Sequence, residues 1–331
     1  MVKYIIKRLL LAVFILLIVS ILLYFLVRLM PFNAIETKYY KTHGETPASK
    51  EELQAILERY NLADNSFSGI IKGWWDWITK FFSGDMGVSF EKNKPVGDII
   101  KQKMPLSFTI SLISLILEML IAIPLGIKCA CNQYGKLDYT ATVLTMIGIS
   151  FPTFFFGSLM IKFFAVDLGW FPAAGSEGSL LSTATGWEIF IDKVWHLILP
   201  LFVLTVLSIG SLMRYTRTNT LEVLNAYYIR TARAKGLSEG KVVYKHVFRN
   251  TMIPLVTVLA STLPGLFGGA MITETVFGIE GIGKTAYELM HEGDVPFIMA
   301  YNMFIAVLTV IGILLADIMY AVVDPRVKLG K

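Results

Sequence analysis

Charge and reactive side chains are what this sequence has least of. Of 331 residues only 17% are charged while 55% are hydrophobic. Soluble domains sit near 25% charged, so this chain cannot cover itself with polar surface in water. Cysteine occurs only at Cys129 and Cys131, too few for a disulfide framework or a four-ligand zinc site. The four histidines, His43, His196, His246 and His291, are scattered and make no metal-ligand spacing. No nucleophile–base pair or metal cluster of the kind an active site needs is visible. No cleavable leader is expected either. Lys3, Lys7 and Arg8 precede an apolar run, Leu9–Val27, that is longer than a signal-peptide core, and Arg28 and Pro31 follow it instead of a small-x-small site. The run reads as a retained first helix.

What is abundant is long apolar sequence. Stretches able to cross about 30 Å of hydrocarbon as helices lie at Leu9–Val27, Leu106–Ile127, Tyr139–Ala165, Leu197–Met213, Pro254–Ile272 and Phe297–Val323. Backbone polar groups find no water in lipid, so spans are helices or closed barrels, and continuous runs without strict alternation exclude the barrel. The fold class expected is therefore an all-α polytopic membrane protein with about six transmembrane helices. Lysine and arginine set the orientation. Lys128 and Lys136 lie between the second and third spans. Arg214, Arg217, Arg230, Arg233, Lys235, Lys241, Lys245 and Arg249 lie between the fourth and fifth, and Arg326, Lys328 and Lys331 end the chain. The opposite short loops carry Lys193 and Lys284. The positive-inside rule then places both termini in the cytosol.

The organisation expected is a first helix over 1–30, an external segment over 31–104, and a five-helix core over 105–331 that includes a cytosolic loop at 214–251. The external segment is more than a linker. Ser49-Lys50-Glu51-Glu52 is a capping box opening an amphipathic helix through Leu53, Ile56, Leu57 and Tyr60. A second stripe follows at Ile71, Trp74, Trp75, Ile78, Phe81 and Phe82. It is either a lid or docking surface for an external partner, or a helix lying at the headgroup boundary.

The cytosolic loop is the most informative stretch. Leu221–Lys235 has helical composition, Gly236 stands where a left-handed C-cap residue belongs, and apolar Leu237 follows. Ser238 can cap a second short helix running toward Val247 and Phe248. The result is helix, tight glycine corner, helix. Small residues (Ala226, Thr231, Ala232, Ala234) before the corner let another surface approach the backbone.

These residues carry a family resemblance. Arg230-Thr231-Ala232-Arg233-Ala234-Lys235-Gly236-Leu237 resembles the coupling segment of ABC-importer permeases, particularly the oligopeptide/dipeptide/nickel group. The general pattern there is Glu-Ala-Ala, three residues, Gly, and later Ile-x-Leu-Pro. Aligned on Gly236, Arg230 holds the acidic position, Thr231 and Ala232 hold the alanines, and His246 to Arg249 do not match the ending. These departures fit the peptide group. Gly84-Asp85-Met86-Gly87-Val88-Ser89, Leu168 to Gly175, Glu274-Thr275-Val276-Phe277-Gly278 with Gly281 and Gly283, and Asp324-Pro325-Arg326 resemble further family segments in the right order. The resemblance implies an ABC type I importer-like permease fold. It also implies a docking role for Arg230 to Leu237 on a cytosolic ATPase, and half of a translocation pathway for peptides or similar small solutes. The implied partners are a homologous second permease, two cytosolic ABC ATPases that bind ATP and Mg, and an external substrate-binding protein, in a bacterial or archaeal plasma membrane. No nucleic acid, no cofactor on this chain and no enzymatic activity of its own are expected.

Gly278-Ile279-Glu280-Gly281-Ile282-Gly283-Lys284-Thr285 formally satisfies the phosphate-binding pattern G-x-x-x-x-G-K-T. That pattern works after a buried strand in an α/β sheet. Here it follows a membrane helix, so a tight turn at the mouth of the pathway is expected instead. Glu118 and Asp317 interrupt the second and last spans. A mid-bilayer charge costs about 2.5–3.5 kcal/mol on insertion scales, so each faces protein or a path. Glu118 and Glu274 are the candidate pathway or intersubunit residues, and Asp317 reads as structural. Two other function classes compete. A stand-alone secondary transporter would show repeat symmetry and paired mid-membrane charges. A non-transporting scaffold would not need the glycine corner.

Overall fold

In a computed structural model, the described residues are 2–29, 66–178 and 185–323, with 40, 50, 51, 53–55 and 58. Ser49 and Glu52 of the capping box, Ile56, Leu57 and Tyr60 of its helix, and the Asp324-Pro325-Arg326 ending lie outside them. The described residues are helical apart from turns and one isolated bridge, Val88 with Pro95. We number the helices α1 (Val2–Leu29), α2 (Phe67–Phe82), α3 (Val96–Cys131), α4 (Lys136–Ser150), α5 (Thr153–Met160), α6 (Gly186–Leu224), α7 (Tyr227–Ala234), α8 (Phe248–Thr262), α9 (Met271–Val276), α10 (Ile282–His291) and α11 (Val295–Val323).

Among the described residues, five helical stretches are long and apolar enough to cross a membrane: Ile6–Val27, Val96–Cys131, Gly186–Leu224, Glu239–Phe267 and Val295–Ile318. The sixth expected span, Tyr139–Ala165, is not one straight helix. α4 and the α5 segment, which continues π-wound to Asp167, meet at 102°. Pro152 explains the break. It lacks an N–H and drives the preceding residue out of the helical region, and Phe151 is extended at φ −79, ψ 129. The fifth span is also displaced from the expected Pro254–Ile272. It begins at Glu239, runs through π-wound Val242–Val247 and ends in a 3-10 turn at Phe267. Gly269, at φ +75, then turns the chain so that Ile272 belongs to α9.

The chain divides into two compact units. One takes Met1–Pro105 and Thr285–Ile311. In it Ser66 caps α2, its hydroxyl accepting from the Gly69 N–H at 3.0 Å. The expected amphipathic face packs on α1: the Trp77 ring lies 6.2 Å from Tyr24, and Trp74 Nε1 donates to Ser20 Oγ at 3.1 Å. Ile78 and Phe81 are buried there, whereas Ile71, Trp75 and Phe82 remain exposed. The Gly84–Ser89 segment owes its pattern to geometry. Gly84 and Gly87 hold left-handed φ of 97° and 83°, Asp85 accepts from the Gly87 N–H at 2.9 Å, and Ser89 Oγ donates to buried Asp294. Burial pushes the Asp294 carboxyl above its ordinary range, against hydrogen bonds from Ser89 and from backbone amides that pull it down.

The other unit takes Leu106–Lys284 and Gly312–Leu329. Its helices approach closely through small residues, as membrane helix pairs do. A Cβ at Gly126 would sit 2.7 Å from the Met213 carbonyl, and one at Gly210 would sit 2.9 Å from that of Thr145. These two contacts lock α6 against α3 and α4. Ala122, Ile123, Leu212, Met213 and Leu255 fill the space between.

Candidate functional site

α6 is 39 residues long with Pro200 inside it. At 1.5 Å per residue it extends about 58 Å, roughly twice the hydrocarbon thickness. The loop expected from Arg214 is therefore helical for its first part. Thr216 and Thr220 are fully buried there, and their hydroxyls donate to the Leu212 and Thr216 carbonyls at 2.7 Å each. Arg217 adds an ion pair to Asp138 in the first turn of α4, Nε to Oδ1 at 2.6 Å and Nη2 to Oδ2 at 2.7 Å. A helix packed this well has no reason to end at the first arginine.

The helix expected over Leu221–Lys235 is in fact two. Asn225 stops α6 by donating from Nδ2 to the Leu221 carbonyl at 3.0 Å, a side-chain bond of the kind that competes with helix continuation. Ala226 is extended (φ −69, ψ 145), and α7 starts at Tyr227. α7 ends as the glycine predicts. Gly236 lies at φ +77, its N–H donates to the Arg233 carbonyl at 2.9 Å, and the Leu237 N–H donates to that of Ala232 at 3.4 Å. These are the two bonds of a Schellman motif. Leu237 then folds back on a small apolar cluster of Ile229, Ala232, Val242 and Val247. Ser238 stands at the start of the next helix, but its hydroxyl makes no capping bond. Arg233 grips Glu239 across the corner instead, Nε to Oε1 at 2.8 Å.

The eight predicted coupling residues therefore divide into two faces. Ala232 is buried and is part of what holds the corner together. Expected with its neighbours as a coupling residue, it lies on the inner face, because a helix of 3.6 residues per turn that buries Ile229 also turns residue 232 inward. Arg230, Thr231, Arg233, Ala234, Lys235 and Gly236 are exposed and Leu237 is half-buried. Tyr227 and Tyr228 join the exposed face at 84% and 48%, and the Arg230 guanidinium stacks 5.7 Å over the Tyr227 ring. The tyrosines were not singled out in the sequence, although their spacing from Thr231 marks the same side.

Glu274 is not on an open surface. It is 1% exposed; Oε1 accepts from the Ala270 N–H at 3.0 Å and Oε2 from the Lys284 N–H at 2.9 Å. The Ile282 N–H beside it donates to Ser107 Oγ at 2.8 Å. Thus an amide of the phosphate-like run, that of Lys284 in the first turn of α10, bonds an oxygen of the chain's own Glu274 side chain. Glu274, expected as a pathway or intersubunit residue, is held in place by these backbone bonds. The Leu168–Gly175 segment pins to the same region, the Gly175 N–H donating to the Phe277 carbonyl at 2.8 Å. Glu118 lies half-buried on α3.

Comparison with known proteins fits this geometry. The model of the "Binding-protein-dependent transport system inner membrane component" family matches residues 122–329, and that of its N-terminal region matches 1–113. The chain belongs to this family. It is a multi-pass membrane permease subunit of an ABC importer. The permease is 38% identical over 329 residues to the oligopeptide transport system permease protein AppB of Bacillus subtilis, covering 99% of this chain and 100% of that one. It is 32% identical over 332 residues to the dipeptide transport system permease protein DppB of the same organism, covering 100% and 99%. DppB of Alkalihalophilus pseudofirmus is 32% identical over 346 residues, covering 99% and 100%.

Proposed function

We propose that the permease moves peptides or similar small solutes inward and takes its drive from a cytosolic ATPase docked on the exposed face of the α7 corner. The chain supplies half of the pathway and no catalytic groups. ATP and Mg bind the partner ATPases, a homologous permease supplies the other half, and an external binding protein delivers the solute. Both termini face the cytosol of a bacterial or archaeal cell. Residues 1–30 form the first helix, 31–104 the external segment and 105–331 the permease core. The names of the relatives support the peptide class.

The observation that carries the coupling role is mechanical. A bonded corner sits on the end of a 39-residue helix, so a push on it moves a lever, and rigid-body motion transmits better than a tether. Ala234 is exposed on that corner, which makes Ala234→Arg the test. In the reconstituted transporter, solute-stimulated ATP hydrolysis should fall at least tenfold while the yield and melting of the complex stay unchanged. A variant that hydrolyses and transports at the wild-type rate would place the docking face elsewhere.

A further inference from the structure

We infer that the pocket between α4 and α6 is a binding site for the phosphate headgroup of an anionic phospholipid. The pocket encloses about 420 Å³ and is lined by Tyr134, Tyr139, Thr142, Arg214 and Arg217, among others. It lies within the second unit and shares no residue with the α7 corner.

Its polar wall is built and only half used. Asp138, 3% exposed, accepts from Arg217 Nε and Nη2 and from the Tyr134 N–H at 3.0 Å. A guanidinium has five N–H donors in a fixed fork, so this grip orients Arg217 and leaves Nη1 without a partner among the described residues, with the side chain 22% exposed. Arg214 precedes it by one helical turn, is exposed, and makes no ion pair among the described residues. Asp138 neutralises Arg217, so the pocket keeps one net positive charge, from Arg214. Two guanidinium groups three residues apart on one helix face suit the several oxygens of a phosphate. Two tyrosines at the same level, with rings 6.5 Å apart, match the aromatic belt of a membrane boundary.

What favours a lipid over a soluble anion is the surface that leads away from the pocket. Along α4, Tyr139, Val143, Met146 and Ile147 are exposed at 61%, 53%, 53% and 49%. They form one stripe, at spacings of three and four residues. From Tyr139 to the end of α4 at Ser150 the helix rises about 16 Å, close to one leaflet of hydrocarbon. A headgroup held by the arginines would lay an acyl chain along that stripe. Basic pockets between membrane helices take anionic headgroups in this way. The cytosolic orientation proposed above decides only which leaflet supplies the lipid, and lipid binding does not depend on the coupling role.

The test is native mass spectrometry of the assembled transporter, released from nanodiscs containing phosphatidylglycerol, cardiolipin and phosphatidylcholine. The wild type should retain an anionic lipid at least tenfold over phosphatidylcholine. Arg214→Gln should lose that preference, and Thr142→Trp, which fills the pocket without changing charge, should lose it too. Arg249→Gln, a charge removed elsewhere, should keep it. Equal retention of anionic and zwitterionic lipid, or full retention by both pocket variants, would overturn the assignment. So would protection by inorganic phosphate alone with no lipid bound, or a cross-link showing the second permease seated in the pocket.

Discussion

Gly236 and Gly281 both stand where the chain turns shortly before a helix, yet a methyl group added at each meets different surroundings. At Gly236 it meets nothing within 4 Å, and only the positive φ of 77° resists it. At Gly281 it runs into Ser107 Oγ and the Glu274 carboxylate. One glycine is required by backbone conformation and the other by space. The first corner therefore has open space around it, as the proposed docking requires, whereas the second is closed around the chain's own Glu274 side chain. Glycine serves an exposed turn in one place and a tightly packed knot in the other.

The comparison can be broken most sharply at the closed corner. Gly281→Val should cost about 3 kcal/mol or more through overpacking and loss of the Glu274 bonds, read as loss of detergent-stable protein in a melting series. Next comes Ala232→Arg. It puts a charge into a small apolar cluster and should cost about 3 kcal/mol locally. Limited proteolysis should then cut near the corner, and the ATPase should fail to co-purify. The sequence on its own suggested that this variant would merely fill a docking surface, so clean folding with lost coupling would restore that view. Gly236→Ala should cost about 1–2 kcal/mol from the left-handed φ alone. It should weaken ATPase retention several-fold without affecting overall melting, and Gly236→Asn should be milder. Arg233→Gln should have the smallest effect, below about 1 kcal/mol, because both it and Glu239 are exposed. Its expected sign is a small rise in hydrogen exchange around Glu239.

The glycine corner was legible because a C-cap is local: Gly236 and Leu237 carry its whole signal within one turn of helix. Pro152 was equally local and readable as a kink, but a bend of 102° was not, because the apolar run on both sides suggested one span. The Asp138–Arg217 pair could not be found from the chain, since its members are 79 residues apart and each looks like an ordinary interfacial charge. The surroundings of Glu274 were hidden for a related reason: the amides of Ala270 and Lys284 that bond it lie on either side of it in the chain and meet only in the fold.

Sequence alone determined that this chain lives in a membrane, roughly how many apolar helices it has, and which stretch turns at a glycine corner. Those properties depend on hydrophobicity and on backbone preferences that act over a few residues. Only the tertiary structure decided which side of α7 is inward, which anion the glycine-rich run holds, and which arginine keeps donors free. These depend on residues far apart in the chain being brought within hydrogen-bonding distance, and no local pattern encodes that distance.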